Sequence, residues 1–101
     1  MQTNTEISDG RAVLRVQGPF ELGAYRDFRK CCHSALNAAE VKELELDLLE
    51  VSKFDSMALG MLLLLKERVE HAHKRFILSN CGDDVKKVLA IARLSEAFGV
   101  L

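Results

Sequence analysis

The stretch LELDLLEVSKFDSMALGMLLLLKERV, from Leu44 to Val69, switches from alternation to helical patterning within a dozen residues. Leu44, Leu46 and Leu48 interleave with Glu43, Glu45 and Asp47, the period-two pattern of a strand with one face against a core and the other against water or a polar layer. A short loop then leads into Asp55-Ser56 and nine uninterrupted apolar residues, 57–65, in which Ala58, Leu62, Leu65, Val69 and Ala72 recur at helical spacing. The junction therefore predicts a strand, a loop and a helix beginning at Asp55 or Ser56.

The first N–H groups of a helix lack partners within it, and the macrodipole adds partial positive charge there. Asp55 and Ser56 both fit an N-cap, because either side chain accepts a hydrogen bond from the first turn. For the same reason an anion carried by Ser56 is favoured there, which makes Ser56 a candidate phosphate carrier. Met57, Leu59, Gly60, Met61, Leu63 and Leu64 give this end of the helix more apolar surface than one core face needs. Either neighbouring elements bury it on all sides, or Met57, Gly60 and Leu64, spaced three and four apart, form a docking surface beside Ser56.

Upstream, residues 3–8 and 11–17 flank Asp9-Gly10, a two-residue hairpin signal, because both central positions of a type I′ turn need positive φ. Gly18-Pro19 is expected to break the second strand, with Ala12, Leu14 and Val16 on its buried face. A helix follows over about residues 22–39, with Ala24, Phe28, Cys31 or Cys32, Ala35 and Ala39 inward and Arg26, Asp27, Lys30, His33 and Asn37 solvated. Downstream, residues 76–80 form a short strand, Asp83-Asp84 opens an amphipathic third helix, and residues 98–101 suit a last edge strand. The order predicts an α/β fold: a mixed sheet of four to five strands, helices packed mainly on one face, and parallel right-handed crossovers.

The 101 residues are 49% hydrophobic and 29% charged, enough for one domain over residues 1–101. A net charge of −1 supplies no basic excess for nucleic acid or an anionic membrane. The longest apolar run falls well short of the roughly 20 residues of a membrane span. The N-terminus lacks the pattern of a secretory signal, so a cytoplasmic location is expected. Cys31, Cys32 and Cys81 are odd in number, two of them adjacent, which suits reduced thiols. Cys31-Cys32-His33 has no metal-ligand spacing, and His71 and His73 diverge by about 200° on a helix, so no metal or other cofactor is expected. No histidine is placed in the loop of Ser56 and no GxxxxGK loop occurs, so no catalytic residue is assigned and the chain is not expected to be an enzyme.

Taken as a set, Leu46-Asp47-Leu48-Leu49, Val51-Ser52-Lys53-Phe54 and Asp55-Ser56-Met57-Ala58-Leu59-Gly60 resemble the signature of STAS domains, especially the bacterial anti-anti-sigma factors, or anti-sigma factor antagonists. Gly18-Pro19-Phe20-Glu21 resembles the family's turn after the second strand. Met57 stands where a second hydroxyl is usual, Ala58 replaces a common glycine and Glu21 the usual aspartate. The resemblance implies a domain with no chemistry of its own, phosphorylated at Ser56 by an anti-sigma factor with a histidine-kinase-like ATPase fold and restored by a metal-dependent serine phosphatase. It implies that the unmodified domain sequesters the kinase, and it places partner contacts at Phe20, Glu21, Asp55, Met57 and Gly60; Leu64 joins them from the docking stripe. Family outputs include sigma-factor release and transcription regulation, biofilm or secretion control, and assembly with lipid transporters. The alternative expectation is a constitutive STAS subunit of such a complex, with Ser56 as a helix cap only.

Overall fold

A computed structural model describes residues 2–100. Strands β1 (Gln2–Ser8) and β2 (Arg11–Pro19) form the hairpin, joined by Asp9 and Gly10 at φ 50° and 79°. A 3₁₀ turn (Leu22–Ala24) leads into α1 (Tyr25–Asn37), then β3 (Glu43–Lys53), α2 (Ser56–His71), β4 (Arg75–Ser79), α3 (Asp83–Ile91) and β5 (Gly99–Val100). The sheet order is β1-β2-β3-β4-β5, antiparallel at β1/β2 and parallel elsewhere. Parallel neighbours need a crossover, and each helix supplies one. Of the last expected strand, Leu101 lies outside the described residues.

The two faces of the sheet separate as the alternation requires. Ala12, Leu14 and Val16 of β2, Leu44, Leu46 and Leu48 of β3 and Leu78 of β4 are at most 2% exposed. They join Phe28, Cys32 and Ala35 of α1, Leu62, Leu65 and Val69 of α2, and Val85 and Leu89 of α3 in one core. Each fully buried leucine or phenylalanine is worth about 1.5–3 kcal/mol of transfer free energy, so this helix-covered face drives the fold. The opposite face is a charged layer. Arg11 bonds Glu43 at 2.9 Å and Glu45 at 3.1 Å, Arg15 bonds Glu6 at 2.8 Å, and the Ser79 hydroxyl donates to Glu45 at 2.7 Å. The neighbouring carboxylates push the Arg11 guanidinium pKa up, chiefly through the Glu43 hydrogen bond.

Three boundaries differ from expectation. β2 continues through Gly18 and Pro19, which pair with Val51 and Lys53. Gly18, at φ 90°, accommodates the irregular register, and Pro19 occupies it without serving as a central ladder donor. β3 runs four residues beyond Leu49 because a bulge opposite Arg15–Gln17 resets its phase, leaving Leu48 buried and Leu49 exposed. Residues 22–24 are 3₁₀ rather than α, and α1 stops at Asn37, where the Lys74 ammonium donates to the carbonyls of Leu36 at 2.6 Å and Ala38 at 3.0 Å. No helix among the described residues is long and apolar enough to cross a membrane.

Candidate functional site

Three phenylalanines set the position of the α2 N-terminus. Phe54, in the loop from β3, packs edge-on against Phe20 with ring centroids 5.7 Å apart, and Phe20 packs against Phe28 of α1 at 5.1 Å. The Phe20 N–H donates to the Lys53 carbonyl at 2.9 Å, tying the turn after β2 to the loop before α2. Phe20 is 1% exposed. The expected partner contact at Phe20 is thus corrected: an aromatic ring clamped between two others cannot meet a visiting surface, and it supports the site from beneath. Glu21, the next residue, is exposed, and its carbonyl accepts from Ala24 N–H to start the 3₁₀ turn.

Asp55 resolves the choice of cap. Its backbone is extended, at φ −128° and ψ −171°, and one carboxylate oxygen accepts from the N–H groups of Met57 and Ala58, both at 3.0 Å. Ser56 is the first helical residue and is exposed. The cap-only role considered for Ser56 is therefore corrected, since Asp55 already binds the first-turn donors. The serine side chain is left facing solvent at the positive end of a 16-residue helix.

The apolar surplus divides between the two explanations offered for it. Ala58, Leu59 and Met61 are buried, so the first turns do enter the core on most sides. Met57 remains 53% exposed and Leu64 48%, with Gly60 partly open between them and Leu63 beside them. A side chain at Gly60 would meet nothing within 4 Å, so the surface there is a shallow gap in the stripe. Leu22, on the 3₁₀ turn packed against α2, is equally open and was not among the expected contacts. Its signal in the sequence was a bulky apolar residue next to a turn glutamate. The structure gathers Glu21, Asp55, Ser56, Met57 and Gly60 at one end of the domain; Leu64 continues the stripe along α2.

A sheet covered by helices on one side, with the loops after β2 and β3 clamped together, thus holds the start of α2 at one end of the domain. The STAS domain family model matches residues 2–100, and the chain belongs to that family. It is 34% identical over 94 residues to a STAS-domain containing protein of Pseudomonas aeruginosa (strain UCBPP-PA14), covering 92% of this chain and 91% of that protein. Two structures of SpoIIAA share the fold. The unphosphorylated anti-sigma factor antagonist superposes with TM-score 0.76 at 20% identity, over 99% of this chain and 87% of that one. The phosphorylated form gives 0.75 at 21% identity, over 99% and 91%. A sulfate transporter family protein from Wolinella succinogenes also shares it, with TM-score 0.77 at 20% identity over 94% and 79%.

Proposed function

We propose that this chain is a partner-switching regulator of the anti-sigma factor antagonist type. Unphosphorylated, it binds a serine kinase of histidine-kinase-like ATPase fold, which acts as an anti-sigma factor or its equivalent, and phosphorylation of Ser56 releases it. The observation that carries this reading is the exposed Ser56 hydroxyl at the first position of α2, relieved of capping by Asp55 and bordered by the exposed Met57. In the proposed transfer the Ser56 oxygen bonds the γ-phosphorus of ATP as the bond to the bridging oxygen breaks. ADP departs, and the hydroxyl proton passes to a base of the kinase. A metal-dependent phosphatase reverses the modification by hydrolysis.

Electrostatics give the switch its direction. The ester adds about −1.5 to −2 charges. The helix terminus stabilises such a charge by about 0.3–1 kcal/mol while it remains in water. Taking it into a contact with Met57, Gly60 and Leu64 removes its hydration, a larger cost, so association weakens while the fold is kept.

Affinity capture from the source cell with wild type, Ser56→Ala and Ser56→Asp, read by mass spectrometry, tests the proposal. Wild type and alanine should recover an ATPase of the kinase class, aspartate should not, and wild type should carry phosphate at Ser56. A complex recovered equally with all three and free of phosphate would identify a constitutive subunit instead.

A further inference from the structure

We infer that the groove between α1 and α2 is a docking site for an acidic helical segment of a protein partner. The groove has a volume of about 550 Å³ and is lined by Arg26, Arg29, Lys30, His33 and Ser34 of α1 and by Arg68 of α2. Arg26, Arg29, Lys30 and His33 fall at i, i+3, i+4 and i+7, one stripe along the helix, with the fixed charges at the first three positions. Arg68 faces them from α2.

Four cations without a carboxylate partner meet in this groove. Arg11, Arg15, Lys66 and Arg75 each have a carboxylate partner. Among the described residues, Arg26, Arg29, Lys30 and Arg68 have none within 4.0 Å. Four uncompensated charges thus share one groove in a chain of net charge −1. The His33 ring lies 3.0 Å from the Asn37 amide, which orients it at the far end of the stripe.

The walls decide which anion fits. They are the sides of two helices, whose backbone N–H groups are spent within each helix, so no fan of converging donors is present to hold one compact phosphate. The three α1 charges instead spread over about 6 Å, the rise from Arg26 to Lys30 at 1.5 Å per residue, with Arg68 facing them from α2. Carboxylates at i, i+3 and i+4 on a helix laid alongside match that spacing. The site does not depend on the phosphorylation reading, although Arg68 extends the Met57, Gly60 and Leu64 stripe at the same three- and four-residue spacing.

The test uses the full chain and a fluorescent synthetic helical peptide with glutamates at that spacing. Saturable binding at low salt is expected, weakening about tenfold towards physiological ionic strength as exposed charges are screened. Arg29→Glu combined with Arg68→Glu should lower affinity by about tenfold or more, and Arg26→Gln combined with Lys30→Gln by less, with thermal unfolding of each variant confirming its fold. Ser56→Asp should leave the affinity unchanged, which separates this site from the switch. Absence of binding at low salt, equal affinity in the charge-reversed protein, or preference of the groove for inorganic tripolyphosphate over the peptide would each overturn the inference.

Discussion

At the start of α2, two adjacent polar residues have separate tasks, and their variants should differ accordingly. Asp55 accepts from two first-turn N–H groups, so Asp55→Ala leaves both without their capping partner and should cost about 1–2 kcal/mol in urea unfolding. Ser56 is exposed and its side chain caps nothing at this terminus, so Ser56→Ala should stay within about 0.5 kcal/mol of wild type. Equal losses in the two variants would refute the division of labour. Residue types alone left the assignment open because both side chains accept the same hydrogen bonds; only the extended backbone of Asp55 decides it. Phe20 was harder to place. Its Gly-Pro neighbours mark a surface turn, and the two aromatic partners that bury it lie 8 and 34 residues away in the chain, a distance that periodicity does not span.

At the scale of elements, helix ends and strand phase show what a linear pattern can and cannot carry. α2 ends with Lys74 N–H bonded to the Val69 carbonyl and His73 N–H to that of Glu70, the paired bonds of a Schellman turn. This turn requires a left-handed residue at its centre, and His73 adopts φ 58° there. A side chain in that conformation costs roughly 1 kcal/mol that glycine avoids. His73→Gly should therefore raise stability by up to about 0.5 kcal/mol once glycine's larger unfolded-state entropy is counted, measured as a shift of the urea midpoint at constant slope. A drop in stability would show that the imidazole makes a compensating contact. The onset of α2 was readable because alternation gives way abruptly to a continuous apolar run, whereas the end of β3 was not. The Leu48-Leu49 pair looks like the end of an alternating strand, yet it marks a bulge after which pairing with β2 resumes.

Across the whole molecule, helices cover the apolar side of the sheet and a layer of arginines and carboxylates covers the other, an arrangement already visible in the clean alternation of β3. The layered core leaves one ionisable group in a costly position. Cys32, 1% exposed between α1 and the core, has its thiol pKa pushed from 9.0 up to about 12, first by burial and then by the neighbouring Cys31, with Arg68 pulling weakly the other way. Below pH 9 the thiol keeps its proton in both the folded and unfolded chain, and stability does not depend on it. Between pH 9 and about 12 the unfolded chain releases the proton while the folded one holds it, so ionisation favours unfolding by up to about 1.4 kcal/mol per pH unit. Urea unfolding of the wild type should thus lose about 1 kcal/mol more between pH 8.5 and pH 10 than that of Cys32→Ala, whose absolute stability is lower at neutral pH because a buried atom is removed. Cys81, also raised by burial, remains in both proteins and cancels from the comparison. Parallel pH profiles for the two proteins would mean that water reaches the thiol and that the seam between α1 and α2 opens far more readily than its packing implies.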